Sequence, residues 1–148
     1  MMDDLDRQIL NRIQTAFPVT TEPFRTLAEE MGLEEGEVLK RIRALKDQGL
    51  IRRLGAVFNL DRLGFVSTLC AAKVPEEKAA RFIEAVNAIP GVTHHYRRDH
   101  EYNYWFTLIC PSEEDILATL AKIEGETGLE IIHMKAIRTF KINASFQL

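Results

Sequence analysis

Cysteine is scarce in this chain. Its 148 residues hold two, Cys70 and Cys110, and neither stands in a CxxC or Cys/His spacing that would bind a metal. Both lie in apolar, strand-like sequence, so buried reduced thiols are expected rather than a disulfide or a reactive centre. No apolar run approaches the length of a membrane span. No signal-peptide pattern precedes the first acidic residues, and a cytoplasmic protein is expected. A strong charge of one sign is missing too: the net charge is −3. Residues 1–61 carry 9 Lys and Arg against 11 Asp and Glu, and residues 62–148 carry 10 against 11. A nucleic-acid-binding module normally presents a basic face, whereas the N-terminal part here is mildly acidic. The remaining composition, 46% apolar and 28% charged, is that of an ordinary folded protein, long enough for one domain or two small ones.

The first third reads as three helices. Leu5, Ile9, Ile13 and Ala16 recur at helical spacing behind Asp3, Asp4 and Asp6, acidic residues that suit a helix N-terminus. Phe24, Leu27, Ala28 and Met31 form a second stripe stopped by Gly32, and Val38, Ile42 and Leu45 a third stopped by Gly49. Leu50 to Phe58 then reads as two strands turning near Gly55. Three helices and a hairpin predict a winged helix-turn-helix over residues 1–61.

Residues 62–148 alternate differently. Strands are predicted over Val66–Val74, Val92–Arg98, Tyr104–Cys110 and Leu129–Phe140. One helix opens at Pro75 and carries Ala79, Phe82, Ile83 and Val86; Pro90-Gly91 breaks it. A second is capped by Ser112 and carries Ile116, Leu117, Leu120 and Ile123. The order βαββαβ predicts a ferredoxin-like α+β domain: one antiparallel sheet with both helices on one face. The uncovered face must meet a ligand or a partner, so dimerisation is expected.

Within this domain, residues 94–107 crowd three of the four histidines, all three tyrosines, the tryptophan and adjacent arginines. Aromatic faces, guanidinium forks and imidazoles in one stretch suit a large, flat, multiply anionic molecule. Alternation puts Val92, His94, Tyr96 and Arg98 on one face of the first middle strand and Thr93, His95 and Arg97 on the other. The first set is assigned to the functional face, because covering Arg98 with helices would strand a charge. Arg97 would escape the same cost near the strand end.

The winged helix followed by βαββαβ resembles the Lrp/AsnC family of regulators. Leu5-Asp6-Arg7-Gln8-Ile9-Leu10, Leu27-Ala28 with Gly32-Leu33, and Val38, Arg41-Ile42, Leu45 and Gly49-Leu50-Ile51 are similar to that family's opening, helix-turn-helix and wing. Two departures stand out. The third helix begins Glu34-Glu35-Gly36-Glu37, carboxylates where DNA phosphate would sit. The turn between the middle strands is Arg98-Asp99-His100-Glu101-Tyr102-Asn103, bulky and charged where the regulators have a small glycine-containing segment. The run His94, Tyr96, Arg98, His100, Tyr102-Asn103 and Trp105-Phe106-Thr107 resembles the siroheme decarboxylase branch of the family.

That resemblance implies removal of two acetate carboxyls from siroheme, giving didecarboxysiroheme in haem biosynthesis. It also implies a pair of paralogous subunits, with DNA binding not expected. The reaction needs a held and partly dehydrated carboxylate, a conjugated ring to take the electrons, and a proton to replace CO2. The expected catalytic residues are Arg98 as carboxylate holder, His100 as proton donor, Tyr96 assisting, and His94 as proton donor or axial ligand of the siroheme iron. Arg97, Tyr102, Asn103, Tyr104 and Trp105 are expected to bind substrate; Tyr104 and Trp105 would flank the macrocycle, and Asn103 serves the turn equally well. No metal or cofactor is expected beyond the iron-containing tetrapyrrole substrate. His133 reads as a core or interface histidine. Lys135, Arg138 and Lys141 read as outer carboxylate contacts or a solvated face. The alternatives are an Lrp/AsnC-type DNA-binding regulator, which Lys40, Arg41, Arg43, Arg52 and Arg53 would serve, and a tetrapyrrole sensor or carrier.

Overall fold

The computed structural model describes residues 2–142 and 145–148. The chain folds into two compact units: Met1–Ala56 together with Lys141–Leu148, and Val57–Phe140.

In the helical unit, α1 spans Asp4–Ala16, α2 Pro23–Met31 and α3 Glu35–Asp47. Helix α1 starts on a capping box: the Asp6 amide donates to the Asp3 carboxylate at 2.8 Å and the Asp3 amide to Asp6 at 3.0 Å, satisfying donors that a helix start leaves open. Helix α2 stops at Gly32, whose φ of 66° lies in the left-handed region that glycine enters without steric cost. The predicted stripes meet in one core of Ile9, Leu27, Ala28, Val38, Ile42, Leu45 and Ile51. Each fully buried aliphatic side chain there contributes about 1.5–3 kcal/mol of apolar burial.

The predicted wing hairpin does not form. No strand occurs among residues 50–58, and Val57 and Phe58 are exposed. An isolated two-stranded ribbon is marginal in water, and this one buries only Ile51. The last eight residues group with the helical unit, although the sequence reading extends the sheet domain through them. The amides of Phe146 and Leu148 donate to the side-chain oxygens of Gln14 (3.2 Å) and Asn11 (3.1 Å) on α1.

In the second unit, β1 spans Val66–Ala72, α4 Ala79–Asn87, β2 Val92–Arg97, β3 Tyr104–Cys110, α5 Glu113–Thr127 and β4 Ile131–Lys135. The sheet order is β2-β3-β1-β4 with every neighbour antiparallel, the ferredoxin-like arrangement that the βαββαβ order predicts. Pro75 opens a short 3-10 turn, Glu76–Lys78, before α4 begins. Strand β4 is shorter than expected because its ladder with β1 ends at Lys135 opposite Thr68; Ile137 and Phe140 beyond it are exposed. One sheet face is covered. Phe82 and Val86 of α4 and Ile116, Leu120 and Ile123 of α5 close over Cys70, Tyr104, Phe106 and Leu108. Both cysteines are buried and unpaired, as expected, and burial pushes the Cys70 thiol pKa up to about 12.

The opposite face is open. Leu69, Tyr96 and Met134 on it are 42%, 52% and 40% exposed. Gly91, just before β2, lies close against β3: a Cβ there would be 2.3 Å from the Ile109 carbonyl oxygen.

Candidate active site

The decisive local feature is an irregularity in β2. Val92 pairs with Leu108, but His94 pairs with Thr107, so one extra residue is inserted between them, as in a β-bulge. The bulge corrects the simple alternation. Val92 packs on the helix-covered core, while His94 and Tyr96 face the open side with Trp105 and Thr107. Without that insertion, His94 would share the face of Val92.

On the open face the His94 and Tyr96 rings stack with centroids 6.1 Å apart and planes at 26°. The Arg98 guanidinium lies 5.6 Å from the centre of the Trp105 ring, a cation–π geometry that leaves the edge of its planar fork for a carboxylate. His94 Nδ1 is 3.0 Å from Thr93 Oγ1. His94, Tyr96, Arg98 and Trp105 thus form one strip.

The β2–β3 turn adds His100 and Tyr102. The Tyr102 amide donates to His100 Nδ1 at 3.0 Å, which places the proton of the neutral imidazole on Nε2. The two rings lie side by side, 6.4 Å apart and 23° from parallel. The Trp105 indole N–H donates to the Tyr102 carbonyl at 2.6 Å, tying the turn to the open-face strip.

Three expected substrate-binding residues sit elsewhere. Tyr104 is 4% exposed and packs edge-on against Phe82 at 5.7 Å. As the strand neighbour of Trp105 it must point to the other face, so it builds the core and cannot flank a ligand opposite Trp105. Arg97 shares the helix-covered side, escapes at the sheet edge, and pairs with Glu76 at 2.9 Å. Asn103 is taken up by the backbone: its Oδ1 accepts from the Val74 amide at 2.8 Å and its Nδ2 donates to the Val74 carbonyl at 2.9 Å. Of its two readings, the turn is the one the geometry bears. His95 faces the core side among Phe82, Tyr104 and Phe106; burial holds its imidazole below the ordinary value. His133 is exposed and belongs to no core. Lys135 is engaged by Glu113.

Lys73, which the sequence did not single out, lies beside this turn. Its ammonium pairs with Glu101 and sits 4.7 Å from the Tyr102 ring centre. The pairing raises the Lys73 pKa and lowers that of Glu101. Lys73, Tyr102, Glu130 and Ile132 line a shallow cavity of about 160 Å³. A lone lysine at a strand end carries no periodic signal that would have marked it.

In the helical unit, the Arg41 guanidinium is engaged by Asp3, Asp6 and Glu37 at 2.8, 2.8 and 2.7 Å. A cation of the would-be recognition helix is therefore neutralised within the unit itself.

The family model "Siroheme decarboxylase NirDL-like HTH domain" matches residues 6–52, and "AsnC-like ligand binding domain" matches residues 62–141. The siroheme decarboxylase alpha subunit of Desulfovibrio desulfuricans is 52% identical over 147 residues, 99% of this chain and 85% of that one. The siroheme decarboxylase NirG subunit of Stutzerimonas stutzeri is 42% identical, covering 98% of this chain and 99% of that one. Among solved structures, the siroheme decarboxylase NirDL in complex with an iron-uroporphyrin III analogue superposes with a TM-score of 0.72 at 34% identity. The match covers 97% of this chain and 48% of that longer one. Likeness at this level, end to end and across both units, places the chain in the siroheme decarboxylase family.

Proposed function

We propose that the chain is a subunit of a cytoplasmic siroheme decarboxylase that removes two acetate carboxyls of siroheme as CO2 to give didecarboxysiroheme. The observation that carries this reading is the open-face strip: His94, Tyr96, Arg98 and Trp105 gather on the sheet face opposite α4 and α5. Siroheme is flat and polycarboxylate, and this strip offers aromatic faces and a guanidinium edge to match it.

In this account Arg98 holds the reacting acetate through its fork. Seating the macrocycle against Trp105 and Tyr96 strips water from that carboxylate, which favours loss of its charge as CO2. The electron pair of the broken C–C bond enters the conjugated ring system. A proton then replaces CO2 on the same carbon. His100 in its imidazolium form is the source, which requires Nδ1 to release the Tyr102 amide and carry a proton of its own, so that donation from Nε2 leaves a neutral imidazole. His94 stands on the strip as the axial ligand to the substrate iron or as a second proton donor. The substrate brings the conjugation and the iron, so no further cofactor is called for.

A paralogous subunit completes the enzyme by meeting the sheet domain. The subunit names of the relatives support such pairing, as does the exposed apolar surface of Leu69 and Met134. DNA binding is not expected: Arg41, one of the basic residues that would serve it, is paired with Asp3, Asp6 and Glu37, and α3 begins with Glu35 and Glu37 where phosphate contacts would supply affinity.

The test is anaerobic incubation of the purified chain with siroheme, alone and with its co-expressed paralogue, followed by mass spectrometry of the tetrapyrrole. Loss of two CO2 supports the reading. Siroheme bound but unchanged in mass in both samples would favour a carrier, and a specific DNA shift at physiological salt would favour a regulator.

A further inference from the structure

Arg98 and His100 sit on a turn, and turns are ordinarily the mobile part of a sheet. This one is gripped by the chain segment that leaves β1. Asn103 alone makes four bonds. Its amide donates to Ala72 O at 3.1 Å, and its carbonyl accepts from the Arg98 amide at 2.7 Å. Its side chain closes a two-bond ring with the Val74 backbone, at 2.8 and 2.9 Å. Lys73, between those anchor points, pairs with Glu101 at the tip of the turn and lies against the Tyr102 ring. From the other side the Trp105 indole holds the Tyr102 carbonyl. The grip therefore brackets Arg98 and His100 without using either of their side chains.

We propose that Asn103 and Lys73 are positioning residues: they fix the Arg98–Asn103 turn against Ala72–Val74 and so set the placement of the Arg98 fork and the His100 imidazole. The inference rests on the roles given to Arg98 and His100 above. It excludes a direct substrate role for Asn103, whose carbonyl, amide and side-chain oxygen are all engaged by backbone. It assigns the Lys73 ammonium to Glu101 rather than to a substrate carboxylate.

Displacing a reacting group by about an ångström can cost on the order of 100-fold in rate. The test measures kcat and KM for siroheme with the full chain and its partner subunit. Lys73→Met and Asn103→Ala are expected to lower kcat about 10-fold or more with KM held within about twofold, the signature of lost transition-state placement. Asn103→Asp keeps the acceptor for the Val74 amide and is expected to lose less. Lys73→Glu and Glu101→Lys are each expected to be impaired, and the double exchange to recover most of the loss, because an ion pair can be reversed. A raised KM with unchanged kcat in Lys73→Met, which marks direct contact with substrate, or a double exchange no better than either single change, which shows that the two do not act as an ion pair, would overturn the proposal.

Two readouts need no turnover. In Asn103→Ala, faster exchange of the Val74 amide proton and altered emission of Trp105 are expected. If both are unchanged, the turn is not held in this way, whatever the enzyme does. If both change while siroheme is never converted, the positioning stands and the functional reading fails.

Discussion

Arg98 is the residue on which the proposed chemistry turns. A charge-assisted bond to a carboxylate is worth about 1.5–3 kcal/mol, so Arg98→Ala is expected to lower kcat/KM for siroheme by roughly 10- to 150-fold. Arg98→Lys should recover only part, because an ammonium lacks the two-pronged geometry. Steady-state kinetics under anaerobic conditions checks both. His100→Gln, which cannot transfer the proton, is expected to lower kcat by about 100-fold or more. His95 makes a separate prediction about stability. Burial holds its imidazole below the ordinary value of 6.5, so the folded protein keeps it neutral where the unfolded chain takes up a proton. Below about pH 6.5 the unfolded state binds more protons, and stability falls with pH until the folded imidazole also titrates. His95→Phe fills the same space among Phe82, Tyr104 and Phe106 without titrating. Its melting temperature should fall less than that of the wild type between pH 7 and 5, measured by circular dichroism.

At the scale of elements, the periodic ones were readable from sequence. The three N-terminal helices and strand β3 lie where apolar spacing put them, because burial of a stripe or an alternate face determined them. The wing was not readable: Val57 and Phe58 look like strand, yet strand pairing depends on a partner face that local sequence does not reveal. The candidate site was legible as a cluster, and the shared face of His94, Tyr96 and Arg98 was legible from the cost of burying Arg98; Val92 and Tyr104 were not separated from it. Tyr104 and Trp105 look equivalent in sequence, and only alternation against the covered face separates a core ring from an exposed one. The bulge in β2, which puts His94 and Tyr96 on the face opposite Val92, has no sequence signal at Thr93. Lys73 escaped notice because an ion pair with a residue 28 positions away is a tertiary fact. Helix α3 carries its own prediction. The Asp3 carboxyl lies below its ordinary value of 3.8, through the Asp6 amide first and Arg41 next. A depressed carboxyl stabilises the fold above the unfolded value, and the contribution is lost as pH falls through the folded one. Arg41→Ala should therefore melt at a lower temperature than the wild type at pH 7, with the gap closing below about pH 4.

For the whole molecule, a helix-turn-helix precedes a sheet whose open face carries the candidate site. Among the described residues no helix is long and apolar enough to cross a membrane. The helical unit has a core of its own, and its third helix starts on Glu35 and Glu37. The family resemblance read from residues 94–107 and the helix-turn-helix is borne out by relatives over nearly the full length. The central claim to test is the assignment of chemistry to the open-face strip. The most direct test is mass spectrometry of siroheme after anaerobic incubation with the wild-type pair and with the pair carrying Arg98→Ala. The account predicts loss of two CO2 with the wild type and strongly slowed loss with the variant. Equal conversion by both would contradict the assignment of the open-face strip as the place where the chemistry occurs.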